Sequence, residues 1–206
     1  MVYIPKHFVE NNVTRLHALI HAYNFSTLIC ARQDDIEVSH LPLLLDARRN
    51  VLIGHMARAN PQWRMFSPEQ DVLAIFHGPH HYVSPRWYAS HPSVPTWNYA
   101  VVHAYGRPRL IEEGELLEPL VRNLAVHHEA GETHPWVMDL PGDYQENMLA
   151  AIVGFEIGIT RLEAKFKLSQ NRPAADRPLV IEALERLGND NALGVAAMMR
   201  EHQSRD

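Results

Sequence analysis

Apolar positions along the first quarter of the chain recur with two different periods. In NVTRLHALIHAY, residues 12–23, Val13, Leu16, Leu19, Ile20 and Tyr23 fall at helical spacing, which predicts an amphipathic helix. FSTLICA, residues 25–31, is rich in strand formers. A polar turn at 33–35 leads into IEVSHLPLLLD, and the ARRN turn leads into VLIGHM. These three runs predict antiparallel meander strands with short connections. Pro42 is expected at an edge or bulge, because it donates nothing to a ladder. ARANPQWRMF, residues 57–66, predicts a short helix or turn, and DVLAIFHG, residues 71–78, another strand.

Residues 79–98 hold Pro79, Pro85, Pro92 and Pro95 and read as a long loop, which in a compact domain is usually functional. A strand is predicted over 99–111, closing with a turn near Gly106 and Pro108. A helix follows over 113–128, with Leu116, Leu117, Leu120, Leu124 and Val126 on its apolar face. A second short helix is predicted over 143–151 and a long strand region over 152–168. Residues 178–203, two apolar-periodic runs on either side of a GNDN break, predict a helical hairpin. Six or more strands in meander order with peripheral helices predict a mainly β fold, a small antiparallel barrel. The expected domains are a barrel over 1–177 and a packed C-terminal hairpin over 178–206.

Composition narrows this. Apolar residues make up 46% of the 206 and charged residues 21%, a globular composition that excludes a disordered chain. The one cysteine, Cys30, excludes an internal disulfide framework. The longest apolar runs, such as residues 41–45, are too short to span a bilayer. MVYIPKHF lacks a secretion-signal pattern, so a cytoplasmic location is expected. The net charge of −5 makes non-specific nucleic-acid binding a poor default, and DNA as a partner is not supported by charge. A local exception is the basic stretch 160–177, with Arg161, Lys165, Lys167, Arg172 and Arg177, which is small for a duplex.

Histidine is abundant, at 14 residues, five of them from His77 to His103. HALIH has the His spacing of a zincin helix, but Ala18 stands where the general base would be. HGPHH, residues 77–81, offers three imidazoles for a metal, a ligand pocket or plain structural bonding. Gly78 and Pro79 predict a turn there, and no acidic residue lies nearby, so no stoichiometric metal is expected. In GHMARANPQW a strand is expected to end at Gly54 and to present Arg58 and Asn60 on a turn before Pro61, which suits an anion or a structural turn. Tyr82, Trp87, Tyr88, Trp97 and Tyr99 surround the Pro-rich loop. They supply flat faces for a planar ligand or a small core pinning that loop. Lys165 and Lys167 share one strand face, beside Ser169, Gln170 and Arg172. No glycine-rich nucleotide loop, serine-nucleophile elbow or paired-cysteine motif occurs.

Seven segments in series, MVYIPKHF, SHLPLLLD, GHMARANPQW, PHHYVSPRWY, VPTWNYAVVHAYG, IVGFEIGI and KFKLSQNR, resemble the PaiB family of bacterial FMN-binding negative transcriptional regulators. The likeness runs from Tyr3 to about Met199. It implies an FMN-binding split β-barrel related to the pyridoxamine-phosphate oxidases, a homodimer, and FMN as cofactor. Carried over, the segment with His55, Arg58 and Asn60 faces the flavin phosphate. His40 and Leu41 lie on the strand beside the isoalloxazine. Tyr82, Trp97 and Asn98, and Lys167 with Gln170, complete the site, with the partner chain as one candidate source. His81 stands where a small or apolar residue is expected. The resemblance implies a regulator or flavin-dependent sensor, with a possible small-molecule ligand. The alternatives are an FMN-dependent oxidoreductase of a small molecule and a histidine-rich metal or haem protein.

Overall fold

A computed structural model of the protein describes residues 3–32, 34–111 and 117–204. Seven strands form one sheet: β1 Phe25–Arg32, β2 Asp35–Pro42, β3 Leu44–Asp46, β4 Val51–Ala57, β5 Val72–Val83, β6 Thr96–Leu110 and β7 Ile152–Lys167. Their order is β2-β1-β5-β6-β7-β4-β3. The expected meander is therefore wrong in one respect. The run over residues 36–46 breaks at the fully buried Leu43, whose N–H donates to Asn24 O at 2.9 Å. β2 pairs with β1, whereas β3 pairs with β4, and β4 pairs with β7. Pro42 closes β2 at an outer position of the order, where its missing N–H costs no ladder bond.

Two predicted turns are strand interior. β5 continues through Gly78 and Pro79, so the loop is confined to residues 84–95, with a 3-10 helix at Pro85–Trp87. β6 passes unbroken through Gly106 and Pro108. Gly106 is a contact residue there rather than a breaker. A Cβ on it would stand 2.4 Å from Gly158 O and 2.7 Å from Ile157 Cγ2.

The chain divides into two compact units. One comprises Tyr23–Phe76 and His103–Leu162. Alternation buries Leu28 and Cys30 of β1, Leu52 and Met56 of β4, and Phe155 and Ile157 of β7, with Phe66 edge-on to Phe155 at 5.2 Å. On the other face of β4 and β7, Leu120 and Leu124 of α2, Leu117–Glu129, pack with Ile111, Ile53 and Leu44. Val126, assigned to the apolar face by periodicity, is 63% exposed instead. Leu116 lies outside the described residues. Helix α3, Gly142–Ala150, precedes β7.

The other unit comprises Met1–Ala22, His77–Val102 and Glu163–Asp206. Leu16, Leu19 and Ile20 of α1, Val13–Ala22, are buried at helical spacing. Helices α4, Asp176–Leu187, and α5, Asp190–Gln203, form the hairpin. Gly188 makes its corner at φ 68°, and Asn189 caps α5 through the Ala192 N–H at 2.9 Å. Val180, Ile181, Leu184, Val195, Ala196 and Met199 are buried, each large side chain worth ~1.5–3 kcal/mol. Buried Asp176 accepts from the Ala89 N–H, the Ser90 N–H and the Ser90 hydroxyl at 2.8–3.0 Å, and from Arg172 at 2.8 Å. Burial pushes its carboxyl up, but these donors outweigh burial and hold it below the usual range. The loop after β5 is thereby tied to the first turn of α4.

Candidate functional site

Five predicted site residues lie in the first of these units. β4 ends at Ala57, and the chain turns through Arg58 and Asn60 into the 3-10 helix Pro61–Met65. Asn60 caps that helix, its Oδ1 accepting from Gln62 N–H at 3.0 Å, while its Nδ2 donates to Ser39 Oγ at 2.8 Å. The SHLPLL and ARANP segments are therefore brought together through a pair of side chains. Ser39 was not among the predicted site residues, although alternation within the quoted motif sets it one position from His40. Gln62 was also passed over. It is fully buried, and its amide donates to Leu28 O at 2.9 Å and Glu37 O at 3.0 Å, fastening the turn to β1 and β2.

Arg58 is held by the backbone. Its Nε donates to Ala150 O at 2.8 Å and an Nη to Ile152 O at 3.1 Å, which locks the guanidinium at the α3–β7 junction. His40 is exposed, with Nδ1 3.1 Å from Thr27 Oγ1, and Leu41 beside it is buried. His55 sits on β4 opposite Gly154. Its Nδ1 is buried without a hydrogen-bond partner, and burial lowers the ring's pKa, so the imidazole is neutral near pH 7.

The other five lie in the second unit. Trp97 and Tyr82 are 52% and 41% exposed and meet edge to face at 6.2 Å, with the His80 ring 6.4 Å from Trp97. Lys167 donates to Trp97 O at 2.7 Å and to the Thr96 hydroxyl. Burial, helped by nearby Lys165, lowers its pKa. Asn98 and Gln170 are used internally. Asn98 is fully buried, bonding Ser169 Oγ at 2.9 Å, and Ser169 stands in the left-handed region at φ 65°. Gln170 accepts from Leu168 N–H and donates to Phe166 O, closing the turn after β7. His80 and His81 bond main-chain oxygens, Gly78 O at 3.3 Å and Tyr82 O at 2.6 Å.

A family model described as "Putative FMN-binding domain" matches residues 2–161. "Protease synthase and sporulation protein PAI 2" of Bacillus subtilis is 38% identical over 203 residues, covering 97% of each chain. The chain belongs to the PaiB family of FMN-binding proteins. An uncharacterised protein of Emericella nidulans is 37% identical over 205 residues, covering 81% of this chain and 82% of that one. Among solved structures, the flavocytochrome Anf3 of Azotobacter vinelandii has a TM-score of 0.62 at 14% identity, covering 80% of this chain and 72% of that one. An FAD- and haem-binding protein of Mycobacterium smegmatis gives 0.55 at 14%, covering 77% and 73%. The expected fold, an antiparallel split barrel with peripheral helices, is the one found.

FMN is the cofactor of this PaiB-family chain. The residues present fit it. A buried imidazole nitrogen without a partner offers a hydrogen bond to a ring edge or a polyol, and a guanidinium three residues on offers charge for a phosphate.

Proposed function

We propose that this chain is a flavin-dependent sensor or regulator, a homodimer that binds FMN non-covalently and responds to its occupancy or redox state. The observation that carries the reading is the unpartnered Nδ1 of His55, on the strand that leads into the Arg58–Asn60 turn. When bound, FMN supplies one- and two-electron redox chemistry. The chain supplies binding and orientation. His55 stays neutral and presents a donor or acceptor according to its tautomer. Arg58, already fixed by two carbonyls, adds a charge-assisted hydrogen bond to the phosphate with little further ordering.

The name of the Bacillus subtilis relative ties that protein to protease synthesis and sporulation, and a regulatory role is carried over on that basis. Direct DNA contact by the hairpin is not part of the reading. Arg200 is paired with Glu185 at 2.8 Å, and Arg186 lies 4.0 Å from Glu182.

The test is an FMN titration followed by flavin fluorescence, with an NADH-oxidation assay beside it. One FMN per chain is expected, with Arg58→Ala weakening binding by about tenfold or more. Sustained NADH turnover on a small-molecule acceptor would replace the sensor reading with that of an FMN oxidoreductase. An unchanged titration in folded Arg58→Ala would remove Arg58 from the site.

A further inference from the structure

On the α2-covered face of β7, Glu156 stands between two glycines, Gly154 and Gly158, in the motif IVGFEIGI. The hollow above Gly154 is filled, since a Cβ there would meet Leu117 Cδ1 at 2.7 Å. The hollow above Gly158 is open, with Arg107 O, at 3.9 Å, the nearest atom to such a Cβ. Gly158 lines a cleft of about 500 Å³, with Val51, Phe66, Pro68 and Leu110 as its apolar walls. That volume is within the ~300–1,000 Å³ of small-molecule sites.

The charge beside this cleft is unbalanced. Glu156, with its side chain 8% exposed, accepts from an Nη of Arg49 at 2.7 Å and from an Nη of Arg109 at 2.7 Å. Two guanidiniums share one carboxylate. Arg49 reaches Glu156 from the β3–β4 turn and lines a separate apolar hollow under α2, whereas Arg109 lines the open cleft. Arg107 also lines it but is engaged by Asp71 at 2.5 Å and Pro68 O at 2.8 Å. Glu156 thus fixes Arg109 in place, and Arg49 offsets the charge of Glu156. Arg109 is left as a pre-positioned cation on an apolar cleft, with N–H groups beyond the one that Glu156 uses.

We propose that the Gly158 cleft binds a small amphipathic anion, an apolar ring or short chain bearing one carboxylate, with Arg109 as its anchor. The cleft is proposed as a site apart from the His55–Arg58 segment, and it does not depend on the sensor reading.

The experiment titrates 2-naphthoate into the FMN-saturated protein by calorimetry, with the neutral 2-naphthamide as control. Saturable binding is expected, with the amide about tenfold weaker or more. Arg109→Ala, which leaves Glu156 its Arg49 partner, should weaken the acid by about tenfold and abolish its advantage over the amide. Gly158→Leu should fill the cleft and remove binding of both. Equal affinities for acid and amide, unchanged binding in Arg109→Ala, or displacement of naphthoate by excess FMN would each overturn the proposal. Should Gly158→Leu fail to fold, the exposed Arg109 variant and the acid–amide comparison still decide.

Discussion

His55 enters the folded state as a neutral ring because burial removes the water that would solvate its cation. In the unfolded chain an imidazole takes up its proton near pH ~6.5. The folded ring takes it up only at lower pH. Between those two values the unfolded state binds more protons, so His55 contributes stability that is full above about pH 6.5 and declines as pH falls below it. Urea unfolding at pH 7.5, 6.0 and 5.0 should therefore show a smaller acid-side loss for His55→Gln than for the wild type. Identical losses would mean that His55 is protonated as readily in the folded protein as in the unfolded one. At this scale the sequence named side chains better than it named their partners. Arg58 and Asn60 do stand on a turn after a strand, as the motif implied. Asn98 and Gln170 were equally plausible as ligand contacts, yet each amide closes a bond within its own unit. Residue type states that a group is polar. It does not state whether a buried hydroxyl such as that of Ser169 lies within reach.

Whole elements were easier to read than their punctuation. The N-terminal helix, the strands β1 and β4 and the terminal hairpin follow from the residue pattern, because burial on one face leaves a regular trace. Gly106 and Pro108 misled for a local reason. Glycine and proline usually mark turns, but here glycine marks a place where β6 lies close against the main chain of β7. Gly106→Ala should accordingly cost about 2 kcal/mol, the range of overpacking, since the obstacle is a backbone oxygen that cannot rotate away. Thermal or urea unfolding checks this, and a loss below about 0.5 kcal/mol would mean that the two strands separate freely. The break at Leu43 left no comparable trace. A stretch of eleven residues rich in strand formers reads the same whether it is one strand or two that diverge.

Across the molecule, family and fold became readable through the order of seven short motifs, each weak alone, whereas the assembly state leaves a trace only on the surface. β2 is an outer strand in the sheet order, and Phe25, Ile36 and Val38 on the β1–β2 hairpin are 66%, 69% and 48% exposed. Such an edge invites pairing unless it is covered. A homodimer burying more than about 2,000 Å² is expected. Sedimentation at micromolar concentration should give twice the chain mass, and Ile36→Lys with Val38→Lys should lower it; a wild-type monomer would refute the dimer. One buried atom has a practical consequence for such measurements. Cys30 is the sole thiol of this sequence, lies 2% exposed on β1 with its sulfur 3.4 Å from Gln62 Nε2, and burial pushes its pKa up to about 11. Near neutral pH it is protonated and shielded, so maleimides and iodoacetamides should pass it by. A cysteine placed at an exposed position would then be the only handle for a dye or spin label, with no need to remove the native one.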